Sequence, residues 1–269
     1  MAGKNPVDIA AHHVVDSAAF EFPGGIRIDL PNVLGLQITK YMVLEVIVAL
    51  VLVAIFVPLA RYIATGRAPR GRVWNMFEAM ILFMRDEVAR PAIGHGADKF
   101  VPFILTAFFF VLFCNLFGLV PWMGSPTGSL AVTGVLACFS LVVSVGSGMA
   151  KYGTVGFWTG LVPHMDLPKV MAIWLIPMIL VIEIIGLLIR HGVLAIRLLA
   201  NMFAGHLVLG VILSFISVTA GTWLWYGVTP ASVLGSVGLN LLELLVAFLQ
   251  AYIFAFLSAL FIGMSVHQH

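Results

Sequence analysis

Charge is what this sequence has least of. Asp, Glu, Lys and Arg together make up 10% of its 269 residues, against about 25% in an ordinary soluble domain. So few charged groups cannot clothe a water-soluble body in which 61% of residues are hydrophobic, and the chain reads as an integral membrane protein. The formal charge is only +2, and no basic cluster is interleaved with aromatic residues, so no nucleic-acid partner is expected. Cysteine is almost missing. Cys114 and Cys138 both fall in uncharged apolar runs, where they read as small buried hydrophobes and not as a metal or redox pair. The first forty residues lack a short apolar core with a cleavage signal, so no removable signal peptide is expected. Internal repeats are lacking too, and with them the signature of a transporter built from duplicated halves.

What the chain has instead is long apolar runs along its whole length. Residues 42–60 form the first, followed by Arg61, Arg67, Arg70 and Arg72, a basic excess that marks the cytoplasmic side of a span. The preceding segment, 1–40, carries Asp8, Asp16, Glu21 and Asp29 beside few bases and is expected outside. In residues 73–93, Trp74, Phe77, Ile81, Met84 and Val88 recur at steps of three and four while the charges fall mostly elsewhere, the pattern of an amphipathic helix lying on the cytoplasmic face. Runs 101–123 and 128–150 are separated by Gly124, Ser125, Pro126 and Thr127, which suits a tight turn, and Lys151 returns the chain to the cytoplasm.

From residue 168 an apolar run passes through Arg190, His191 and Gly192, too short a break to reverse a chain. Residues 168–220 are therefore expected as one helix, with 232–266 its antiparallel partner after a turn at "WYGVTP", residues 225–230. Even the shorter member would extend roughly 50 Å at 1.5 Å per residue, against a hydrocarbon layer about 30 Å thick. The pair must lie steeply oblique. The expected fold is thus an all-α membrane protein, with five membrane-crossing helices plus one interfacial amphipathic helix. Residues 41–269 form a single membrane domain, with the N-terminus outside and the C-terminus cytoplasmic.

The final hairpin carries polar residues that such a setting makes costly. A charge at the centre of a membrane helix costs at least about 2.5–3.5 kcal/mol, yet Arg197, His206, Glu243 and Gln250 all lie there. Folding the two helices back about residues 224 and 225 sets His206 level with Glu243 and Arg197 level with Gln250. Glu243 and Gln250, seven residues apart, share a face, as do Arg197 and Asn201, four apart. Arg197 and His206 are nine apart, about 180° around a helix, which separates two stations. Arginine does not deprotonate in proteins, so Arg197 is a fixed cation, whereas His206 and Glu243 can exchange protons with water. Arg190, on the face of Arg197, competes with it for the role of essential charge. Glu45, His12, His13, His267 and His269 read as solvated.

These residues carry a resemblance. "IRLLANMFAGH" at 196–206, "NLFGLVPWM" at 115–123, Glu183 fourteen residues before Arg197, and "LLELLVAFLQAYIF" at 241–254 resemble subunit a of the rotary F-type ATP synthase, from about residue 40 to the end. The resemblance implies a proton-conducting stator subunit, itself not catalytic and without a cofactor, in a bacterial inner membrane. Its partners would be the c-subunit ring, the peripheral-stalk b subunits, the rest of the synthase and the lipid bilayer. Carried over by position, Arg197 faces the ring, His206 and Glu243 relay protons in the outer half-channel, Asn201 and Gln250 are their polar neighbours, and Glu183 serves the cytoplasmic half-channel. One departure is visible: many bacterial members have glutamate where His206 stands and histidine where Glu243 stands. The rival functions are a proton-coupled secondary transporter of an anionic substrate and a membrane scaffold.

Overall fold

A computed structural model of the chain describes residues 17, 19–22, 26–33, 36–64, 71–120, 124–162 and 169–267. His12, His13, His269, Arg67 and Arg70 lie outside the described residues. The described part of the N-terminal segment contains two antiparallel strand pairs, β1 Ala19–Phe22 with β2 Ile26–Asp29 and β3 Asn32–Val33 with β4 Leu36–Gln37. Ala19 stands opposite Asp29 and Phe22 opposite Ile26. The alternation of apolar and charged residues in "FEF" and "IRI" is the period-two pattern of a strand.

Helix α1, Lys40–Ala64, is apolar on every side. Tyr41, Leu44 and Val48 are buried at steps of three and four, while Val46, Leu50, Val53 and Val57 stay exposed, as a helix between protein and lipid requires. The amphipathic segment begins as α2, Arg72–Phe83, widens into a single π-helical stretch over Met84–Ala89, and ends as α3, Arg90–Ile93. Phe77, Met84 and Val88 of the expected stripe are buried. Pro91 supplies the reason for the wider turn, since its ring would clash with the carbonyl of Glu87 four residues back in a regular helix.

Three spans and one short helix follow. Helix α4, Val101–Gly118, stops five residues before the expected end at 123, because Pro121 cannot continue a helix and disfavours helical geometry in the residue before it. After a 3₁₀ turn at Pro126–Gly128 come α5, Leu130–Tyr152, and the unexpected short α6, Thr154–Gly160. Helix α7, Lys169–Val218, runs 50 residues without a break, and α8, Trp225–Val266, runs 42. The reversal between them lies at residues 219–224, where Gly221 takes φ 87°. The segment 225–230, expected as the turn, is the helical start of α8 instead. Pro230 there forfeits a single backbone hydrogen bond near a helix end, so the turn forms at the glycine that tolerates a left-handed backbone.

Among the described residues, α1, α4, α5, α7 and α8 are long and apolar enough to cross a membrane. The architecture is that of an all-α membrane protein. At 1.5 Å per residue α7 and α8 are about 75 and 63 Å long, more than twice the depth of a hydrocarbon layer about 30 Å thick. Cys114 is buried as expected, but Cys138 is exposed on the outward face of α5 that also shows Val135, Phe139 and Val142. An apolar face turned to lipid accepts a small thiol as readily as a core does.

The chain forms two compact units. The first comprises Met1–Arg67, Phe109–Thr133 and Arg197–Tyr252, and the second Ala68–Phe108, Gly134–Ile196 and Ile253–His269. In the first, α7 and α8 pack antiparallel, with Gly205 against Glu243 and Ile212 Cγ2 4.0 Å from the position of a Cβ on Gly235. In the second, α5 and α8 are joined by buried hydroxyls: Ser140 donates to Ser258 at 2.9 Å, and Ser144 and Ser265 are 2.8 Å apart.

Candidate functional site

The first unit holds five of the six residues singled out by sequence: Arg197, Asn201, His206, Glu243 and Gln250. Two missing side chains make room for the titratable pair. A Cβ on Gly118 of α4 would stand 3.2 Å from His206 Nε2, and a Cβ on Gly205 of α7 would collide with the Glu243 carboxylate, whose Cδ is 3.0 Å away. His206 is thus seated over one glycine and Glu243 over the other, and the neighbouring positions of Gly205 and His206 put both acids and bases at one level of the hairpin. No ion pair joins them. His206 Nε2 and Glu243 Oε1 are each buried without a hydrogen-bond partner among the described residues, as is Gln250 Nε2. Buried polar groups left unpaired by protein cost free energy unless water or another group meets them, so these three atoms define a polar interior within an apolar hairpin.

That interior continues into residues not assigned a role by sequence reasoning. Asn115 Nδ2 donates to the Ala247 carbonyl at 3.4 Å, one turn before Gln250. Asn115 Oδ1 accepts from Thr127 Oγ1 at 2.7 Å, and Thr127 Oγ1 lies 2.6 Å from Ser125 Oγ. Ser125 Oγ in turn sits 3.0 Å from the position of a Cβ on Gly118, the notch that receives His206. A buried chain of amide and hydroxyls therefore leads from the neighbourhood of Gln250 to that of His206. Ser125 and Thr127 were legible only as turn residues; Asn115 could have been suspected as the lone amide in an uncharged run. Lys40 and Tyr41, both buried, approach Gly124 beside this turn.

Arg197 lies on a different side. It is exposed, close to the middle of the apolar stretch Ile173–Val218, and forms no ion pair among the described residues. Around it on α7 the exposed residues Ala200, Phe203 and Ala204 are apolar. Helix α8 presents Leu234, Leu241, Leu245 and Phe248 at helical spacing, exposed by 42 to 79%. Half-buried Asn201 lies one turn from Arg197.

Glu183, the sixth residue, belongs to the second unit. Its Oε2 is 3.9 Å from Arg190 Nη2, and the pair faces a cavity of about 340 Å³ that is also lined by Ser144, His191, Ser265 and His267. His267, expected to be solvated, is exposed and also lines this cavity. The two arginines differ in surroundings: Arg190 has an acid of its own chain at 3.9 Å, and Arg197 has none among the described residues. Among the described residues no cluster of three metal-ligating side chains occurs.

The family described as ATP synthase A chain matches residues 42–263. The chain is 40% identical over 265 residues to ATP synthase subunit a of Chloroherpeton thalassium, covering 96% of this chain and 76% of that protein. It is 41% identical over 240 residues to ATP synthase subunit a of Myxococcus xanthus, covering 88% and 76%, respectively. Against ATP synthase subunit a 2 of Chlorobaculum tepidum the identity is 37% over 271 residues, covering 98% and 74%.

Proposed function

Because the chain belongs to the ATP synthase A chain family, an integral membrane family of the proton-translocating sector, we propose that it is the proton-conducting stator subunit beside a ring of c subunits. The observation that carries this reading is Arg197, a permanent cation exposed at mid-span on an apolar face and unpaired with any described acid of its own chain. Lipid does not solvate such a charge, and a free one there costs several kcal/mol. A carboxylate brought by another polypeptide compensates it.

The mechanism follows from solvation. A ring carboxyl turned to lipid is desolvated and stays protonated. Beside Arg197 the carboxylate is favoured, and its proton leaves into whichever aqueous path is open. The polar interior of His206, Glu243 and Gln250, extended by Asn115, Thr127 and Ser125, serves as the outer half-channel. The cavity faced by Glu183 and Arg190 serves as the cytoplasmic one. Arginine cannot pass the proton on, so transfer requires the ring to turn. The membrane potential contributes about 2.3 kcal/mol per charge per 100 mV. The N-terminus is placed outside and the C-terminus in the cytoplasm, the peripheral-stalk b subunits are further partners, and residues 41–269 act as one membrane domain. Exchange of His206 and Glu243 relative to many bacterial members keeps one imidazole and one carboxylate at one level, so the path survives it.

Arg197→Ala in the intact complex tests the reading. ATP-driven proton pumping into vesicles is expected to fall below detection while the complex assembles in normal amount. Normal ATP synthesis by that variant would refute the assignment.

A further inference from the structure

The cavity of the second unit contains a base that neither the hairpin chemistry nor the resemblance uses. His191 is 3% exposed, and its Nδ1 lies 2.9 Å from the Leu187 carbonyl. A carbonyl only accepts, so Nδ1 carries the hydrogen and the neutral ring has its lone pair on Nε2. That Nε2 is buried without a partner among the described residues, and the residue lines the cavity. At about 30 Å³ per molecule, the cavity volume admits on the order of ten waters.

We propose that His191 is a further proton-relay residue of this cavity, accepting a proton on Nε2 from cavity water and returning it to water between Glu183 and His267. This rests on the proton-conducting reading above. In each transfer an O–H bond of a hydronium breaks as an N–H bond forms on Nε2, and the reverse step restores the neutral ring; Nδ1 keeps its hydrogen throughout. The groups facing the site are Glu183 and Arg190 from α7 and His267 from α8, while α5 and α6 contribute only the uncharged Ser144 and Gly160 to the wall. Glu183 and Arg190 offset one another in charge beside the imidazole. The Phe261 ring lies tilted against the imidazole, with centroids 4.7 Å apart and planes at 46°, and an aromatic ring at this distance tolerates a cation. Glu183 lies eight residues earlier, about 12 Å along the helix, a gap that a single carboxylate does not bridge.

The test uses the intact synthase in vesicles, with proton flux measured while the pH on the cytoplasmic side alone is varied. His191→Gln is expected to lower flux on the order of tenfold and to change the dependence of flux on cytoplasmic pH. Free imidazole added to His191→Ala is expected to restore part of the flux. Should the glutamine variant fail to assemble, His191→Asn takes its place. His191→Phe, which keeps a ring against Phe261 but holds no proton, separates relay from packing. Unchanged rate and pH profile in the glutamine or asparagine variant, or full activity in the phenylalanine variant, would overturn the assignment. Arg197→Ala measured alongside distinguishes the failures: if it pumps normally the rotary reading falls, and if it is silent while His191→Gln is unaltered only the His191 relay falls.

Discussion

Two arginines seven residues apart on one helix have opposite surroundings, and the difference carries most of the functional reading. Arg190 reaches Glu183 at 3.9 Å, so its charge is partly spent within the chain. Arg197, flanked by exposed Ala200, Phe203 and Ala204, has no such partner among the described residues. The titratable pair depends on glycine in the same local way. Gly205 leaves room for the Glu243 carboxylate, and a methyl group in a filled space costs about 1–3 kcal/mol through displaced side chains. Gly205→Ala is therefore expected to push Glu243 out of place. Melting of the detergent-solubilised complex should shift downward and proton flux should drop several-fold, whereas alanine at exposed Gly146 of α5, with nothing within 4 Å of its Cβ position, should leave both unchanged.

Elements set where these residues stand. The long helices α7 and α8 continue through positions that look like breaks, because Arg190, His191 and Gly192 lack the proline or positive-φ glycine that ends a helix, while Gly221 supplies one. The amphipathic segment shows the converse, a helix whose winding changes where Pro91 and a cluster of charges meet. Arg85 donates to Asp98 at 3.1 Å, and Arg90 reaches Asp86 at 2.8 Å and Asp98 at 3.4 Å. The hydrogen bond from Arg85 holds the Asp98 carboxyl below the usual carboxylate range against the opposing effect of burial, with lesser help from the charges of Arg85 and Arg90. A group whose folded pKa is depressed stabilises above its unfolded value and loses that contribution as pH falls through the folded one. Protection of residues 84–99 against hydrogen exchange, taken relative to the intrinsic rate at each pH, is therefore expected to fall below pH about 4, and to fall less in Asp98→Asn over that window. Because these groups are exposed, raised salt should weaken the effect.

On the scale of the whole molecule, the exposed apolar face around Arg197 and the α8 leucines has the character of a surface completed by something else. A secondary transporter would conduct alone; a stator conducts only against its ring. Vesicles containing this chain by itself are expected to show no proton flux above empty vesicles, and addition of c subunits to restore a potential-dependent flux. Flux from the chain alone would favour the transporter. Much of this was determined by sequence: the runs of apolar residues enforce membrane helices wherever they occur, because backbone groups in lipid must be satisfied within the segment, and folding one long helix back on the next brings His206 near the level of Glu243 even though the turn itself lies a few residues from its expected place. What required tertiary structure was everything that depends on distant segments meeting: Asn115 docking on Ala247, Thr127 and Ser125 joining that chain, His191 and His267 closing a cavity with Glu183, and the exact turn at Gly221 in place of 225–230. Periodicity reports which face of one helix is apolar. It does not report which hydroxyl of another segment lies opposite, since hydrogen bonds across the fold leave no spacing in the sequence.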